Sequence, residues 1–253
     1  MNPTEFRLLE LRGGLVTTGP PMTCWLPPVA TGYADAQFDD YALRRGNGRG
    51  HYRWQPGTSL SLSARFSHEA EQLAGTAGFG FWNAPFGDPS VRWPALPQAT
   101  WFFFASPPSN LPFPLTGPGR GWFAATIDAG RRTAVSLIPF APLILLLNQA
   151  TALRQRLWPR IRPRLGISFA PLPLAMTEWH EYKLNWLPDG CTFQVDGETV
   201  LQTPQSPRGP LGFVCWMDNQ YMVATVDGRF RWGVLPTSAT QWLDVSSLVI
   251  QAA

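Results

Sequence analysis

The chain is poor in charge and almost without lysine. Charged residues make up 15% of its 253 positions, and Lys183 is the only lysine among 20 cationic residues. Cys24, Cys191 and Cys215 are too few and odd in number for a disulfide framework. No apolar h-region follows Met1, so no secretory leader is visible and a reduced, cytoplasmic setting is the expectation. No Ser- or Gly-rich linker divides the sequence, which argues for one domain over residues 1–253. His51, His68 and His180 lack metal-ligand spacing, and no phosphate loop, dinucleotide fingerprint or G-x-S-x-G elbow is present. Neither a metal nor a cofactor is expected. The longest apolar run, Leu137–Leu147, covers 11 residues with its prolines and is too short to span a bilayer. Between Asp88 and Asp128 there is no Asp or Glu at all.

Proline (26), glycine (23) and aromatic residues (13%, with 12 Trp) are abundant instead. Many short strands joined by turns suit the first two. The aromatics exceed what a core of this size needs; they fill a sandwich, line a cleft, or do both. The net charge of +3 is uneven. Residues 129–177 hold seven arginines and no acid, so that window is +7 and the remainder 3 − 7 = −4. One segment is basic but the protein is not, which argues against a nucleic-acid partner.

Period-two alternation marks strands at 36–43, 59–66, 77–83, 100–105, 122–127, 211–217, 222–226 and 242–251, with edge strands at 6–18. It is clearest in residues 179–201, WHEYKLNWLPDGCTFQVDGETVL. There Tyr182, Leu184 and Trp186 alternate with Lys183 and Asn185, and Phe193 and Val195 continue the pattern. Asp189-Gly190 and Asp196-Gly197 can supply the positive backbone torsions of tight hairpins. This stretch resembles the W-H-x-Y-x-x-x-W-x-P-D…V-D-G cassette of family 16 glycoside hydrolases. The resemblance implies an all-β, concanavalin A-like jelly-roll sandwich of two antiparallel sheets. It also implies a catalytic E-x-D-x-x-E strand, and the segment at that place, 100–105, reads TWFFFA. Retaining hydrolysis needs two carboxylates roughly 5–5.5 Å apart. Without them the family's usual reaction has no basis, and this is a divergent relative at most.

The replacement suggests a different site. In the family's orientation Trp101 and Phe103 face the cleft while Phe102 and Phe104 face the core; in the opposite register the roles swap, and the cleft is still aromatic. Trp82, Asn83 and Trp216 are expected to join them, with Asp218 and Asn219 as the polar groups. Beside Trp216, Asp218 would have a raised pKa and could carry a proton; Asp-Asn-Gln is also ordinary turn chemistry. Asp39 and Asp40 either join from a neighbouring strand or are solvated edge charges. Asp244 stands where family members place a structural calcium ligand, but no acidic partner matches it. The expected partner is a small amphipathic or glycan ligand, such as a glycolipid, lipid or isoprenoid. Two alternatives stand beside it. One is a glycan-cleaving enzyme using Asp40 and Asp218, or an isomerase or cyclase using Asp218. The other is a membrane-surface scaffold.

Residues 134–166 interrupt the strand pattern as a helical insertion. Pro142 could begin a helix and Pro159 end it, giving about 16 residues or ~24 Å. It reads as a buried helix, as a lid over the cleft, or as a peripheral membrane contact through residues 137–164.

Overall fold

The structure is a computed structural model, described for residues 6–41, 52–85 and 95–252. Two seven-stranded sheets stack face to face, their strands numbered here in chain order. The front sheet runs β1 (Arg7–Leu11), β4 (Asp35–Asp39), β13 (Gly212–Asp218), β6 (Thr76–Trp82), β7 (Gln98–Ala105), β8 (Gly121–Asp128), β9 (Ser168–Pro171). The back sheet runs β12 (Glu198–Thr203), β11 (Gly190–Val195), β10 (His180–Leu187), β5 (Thr58–Phe66), β16 (Gln241–Ala252), β3 (Met22–Leu26), β2 (Leu15–Thr17). Every strand pairing in both is antiparallel. A separate ribbon pairs β14 (Gln220–Ala224) with β15 (Phe230–Val234). This is the concanavalin A-like jelly roll that the cassette implied. The 6–18 segment divides as its pattern suggested, β1 edging one sheet and β2 the other.

Alternation explains the layers. Tyr182, Leu184 and Trp186 on β10, with Phe193 and Val195 on β11, turn inward and are buried. They meet Phe79, Phe81, Phe102, Phe104 and Phe213 from the front sheet. The Asp196-Gly197 turn has φ of 51° and 83°, the two positive torsions of a tight hairpin. At Asp189-Gly190 the expectation fails, because neither residue has positive φ. Gly190 serves packing instead: an added Cβ would lie 2.3 Å from the Thr203 carbonyl oxygen of β12. His180 joins its cassette to both sides, its Nδ1 2.6 Å from Asp196 and its Nε2 2.9 Å from the Ala175 carbonyl.

The insertion departs from the single helix expected. It forms α1 (Arg132–Val135), α2 (Ala141–Leu147) and α3 (Thr151–Ile161). The break falls at Asn148, a buried residue whose amide donates to the Val226 carbonyl at 2.9 Å. Pro159 does not end the helix; it lies inside α3. Burial does not follow the apolar run. The leucine-rich α2 buries none of its side chains, while α3 is anchored through buried Trp158.

Trp158 packs, with Ile161 and Leu165, on the outer face of the front sheet, which carries its own apolar cluster. The front sheet is thus covered on both sides. Gly78 and Gly80 of β6 make room for the rings of that outer layer. A Cβ on Gly80 would lie 2.6 Å from the Trp101 Cα, and one on Gly78 would lie 2.3 Å from the Phe102 carbonyl oxygen. Backbone cannot yield as a side-chain tip can. Gly80→Ala should therefore cost about 1–3 kcal/mol or more, measured as a fall in the urea midpoint. An unchanged midpoint would contradict this account of β6.

Candidate functional site

The outer face of the front sheet carries a ladder of aromatic rings. Trp82 lies 4.6 Å from Trp101, ring centre to ring centre, and Trp101 lies 4.9 Å from Phe103 and 5.7 Å from Trp216. Phe103 continues to Trp216 at 5.3 Å and to Phe123 at 5.3 Å. Register produces this: Trp216 and Phe103 both pair with Gly78, so the two rings meet over a residue with no side chain. The same alternation turns Phe102 and Phe104 into the sandwich. The strand where the family resemblance implied catalytic acids, β7, presents Trp101 and Phe103 and no carboxylate.

The ladder is mostly covered. Trp101, Phe103 and Trp216 are buried beside Trp158 and Phe113, whereas Trp82 at the end is half-buried. The indoles of Trp216 and Trp158 donate to Thr76 Oγ1 at 3.1 Å and to the Pro114 carbonyl at 3.2 Å. The Trp101 indole N–H, in a residue only 6% exposed, has no acceptor among the described residues. A buried unpaired donor costs about 1–3 kcal/mol. Nearby lies a cavity of about 300 Å³ between α3, residues 110–117 and the turn at 225–229. Trp158, Arg154, Asp227 and Arg229 help to line it, and none of the site residues expected from the sequence does.

The polar residues divide sharply. Asn83 accepts from the Gln98 N–H at 2.9 Å and donates to the Leu96 carbonyl at 3.0 Å, pinning the return into β7. Asn219 accepts from the Ala34 N–H at 2.8 Å and donates to the carbonyls of Gly32 and Leu235. Both amides are taken up by backbone. Asp39 and Asp40 are buried rather than solvated. Asp39 receives Arg7 through Nε and Nη2. Asp40 accepts from the Phe213 N–H at 2.8 Å and from the Trp54 indole. Burial pushes its carboxyl up to about 7 despite those bonds. Its backbone N–H binds the Phe213 carbonyl, five positions along β13 from Asp218. At about 3.4 Å per residue the two acids stand ~17 Å apart. They cannot flank one glycosidic bond, so the pairing of Asp40 with Asp218 is corrected.

The partner of Asp218 is instead Asp35, directly opposite it in the β4–β13 register. Both are buried on the outer face. Asp218 Oδ1 accepts from Thr76 Oγ1 at 2.8 Å, the Gln220 N–H at 2.9 Å and the Thr76 N–H at 3.3 Å. Burial outweighs these bonds and pushes Asp218 up to about 6. Asp35 is pushed well above the carboxylate range by burial and then by the Asp218 charge, and its Oδ1 has no partner among the described residues. Tyr33, its own phenol raised by burial and by both acids, completes the group. Asp35 and Tyr33 were not anticipated, although Asp35, Gln37 and Asp39 alternate as a polar outward row. Asp244 is held by Thr23 at 2.7 Å and Arg65 at 3.0 Å.

No protein-family model matches the chain, and no curated protein does. Among solved structures the chain is similar to the Emp47p carbohydrate recognition domain, at 10% identity and TM-score 0.49, over 99% of this chain and 90% of that one. A Bacillus licheniformis β-glucanase is similar at 9% identity and TM-score 0.45, over 98% and 92%. Against a sialidase the values are 7% and 0.45, and this chain spans 17% of that protein's length. At these scores the likeness carries no functional weight.

Asp218 and Asp40 should respond unequally to neutralisation. Asp218 binds its proton more tightly folded than unfolded. Its contribution to stability is complete below about pH 3.8 and lost as pH rises through about 6. Asp218→Asn keeps an acceptor for three donors, so it should stabilise the protein near neutral pH by up to about 3 kcal/mol and little at pH ~4. Asp40→Asn relieves a similar burial penalty but turns an amide NH₂ toward the Phe213 or Trp54 N–H, a loss of about 1–3 kcal/mol, so it should stabilise the protein less than Asp218→Asn near neutral pH. Thermal melts across pH check both; equal shifts for the two variants would refute the distinction.

Proposed function

We propose that this protein is a non-hydrolytic binding jelly roll that takes an amphipathic or glycan ligand along the Trp82–Trp101–Trp216 ladder. One observation carries the reading: within the ring ladder the Trp101 indole N–H is buried with no acceptor among the described residues. A ligand with an apolar face and a hydrogen-bond acceptor would stack on the rings and satisfy that donor. A sugar ring or glycolipid headgroup offers both, and a plain hydrocarbon only the first. Glycan and glycolipid therefore rank above isoprenoid. Half-buried Trp82 is the thin end of the cover and the natural point of entry.

An acid–base reading has its own support in the facing Asp35 and Asp218. Two close carboxyls with raised pKa share a proton at neutral pH and can pass it on. Asp35 is more deeply buried than the ladder, and Asp218 is already held by three hydrogen bonds, which weighs against their acting on a substrate. Release of reducing ends from a β-glucan, abolished in Asp218→Asn, would raise this reading above binding.

Binding is tested by tryptophan fluorescence and calorimetry with a β-glucan oligosaccharide, a glycolipid and an isoprenoid alcohol. The first two should bind, and Trp101→Phe, which keeps a ring and loses the donor, should weaken them about tenfold. Equal affinity in Trp101→Phe, or binding of the isoprenoid alone, would defeat the proposal.

A further inference from the structure

The first half of the insertion and the β14–β15 ribbon make an exposed apolar surface of their own. In and before α2, Ile138, Phe140, Leu143 and Leu146 are 52–67% exposed. On the ribbon, Phe230 and Trp232 are 65% and 69% exposed and lie on one face, two residues apart. The two parts adjoin: Leu145 packs 3.4 Å from where a Cβ on Gly228 would be, and Gln149 donates to the Asp227 carbonyl. Contiguous exposed apolar surface of this kind marks a docking site.

We infer that this surface docks the protein on an anionic bilayer. Charge selects that occupant. Arg132, Arg156, Arg160 and Arg164 are exposed and, among the described residues, enter no ion pair. No Asp or Glu occurs from 129 to 177 to balance them. Exposed apolar side chains and unpaired arginines within one short insertion match acyl chains below anionic headgroups. Exposed Trp232 is the residue type that favours the headgroup level. A specific protein partner would instead need polar groups to set its register. Here α2 reads APLILLL and has none to offer. No described helix is long and apolar enough to cross a membrane. At seven residues α2 is ~10 Å long, far too short to span a bilayer.

Vesicle flotation tests this on the full chain, with phosphatidylcholine alone and with phosphatidylcholine mixed with phosphatidylglycerol. The protein should float with the mixed vesicles, far less with the neutral ones, and less as salt rises. Leu146→Asp and Trp232→Asp should each lower partitioning at least tenfold, as should Arg156→Glu combined with Arg160→Glu. All four side chains are exposed, so unchanged melting temperatures and unchanged ligand titrations at the aromatic ladder keep this test separate from the binding proposal. Equal flotation with both vesicle types, or undiminished flotation of Leu146→Asp, overturns the inference. So does a concentration-dependent dimer that Leu146→Asp dissolves, for the surface would then belong to a second copy.

Discussion

The architecture turns on a front sheet in which an inner strand, β7, is apolar on both faces. A half-buried antiparallel strand alternates ring and polar group; β7 alternates ring and ring. Phe102 and Phe104 meet the back sheet, leaving Trp101 and Phe103 on the other side with nothing in the jelly roll to cover them. A sandwich ordinarily solves its burial problem with two layers. This one needs a third, and α3 with residues around Phe113 supplies it. The second apolar cluster is therefore a structural necessity as well as the place where a ligand is proposed to bind.

That necessity gives the two halves of the insertion different tasks. Trp158 ties α3 to the outer ring layer, and Asn148 ties the break between helices to the ribbon. The leucines of α2 project beyond both. The roof thus connects the ring ladder with the exposed apolar tip through one short run of chain. Its acids are at the opposite end of the logic. Asp35 and Asp218 are costly to bury, and three hydrogen bonds to one oxygen only partly offset that cost.

The frame was legible because strand periodicity is local. The inward Tyr182, Leu184 and Trp186 could be read directly, as could the opposite facing of Trp101 and Phe102. The missing carboxylates at 100–105 were equally plain. What failed was non-local. Helix signals at Pro142 and Pro159 were outweighed by Asn148 reaching Val226, 78 positions away. Asp40 was read as half of a pair because its place along β13 depends on register, which sequence does not state. Asp35 was passed over for the same reason: only the β4–β13 alignment brings it to Asp218. The Gly-rich stretch 44–53, RRGNGRGHYR, reads as a turn or loop between strands and lies almost wholly outside the described residues.

Lys183 is exposed on β10, in the back sheet, and the ring ladder and insertion are on the far side of the front sheet. The chain's one side-chain amine is thus as remote from its proposed working surfaces as the architecture allows. Any acylation, tethering or crosslinking through a lysine would fix the protein by its back, with ladder and apolar tip directed outward.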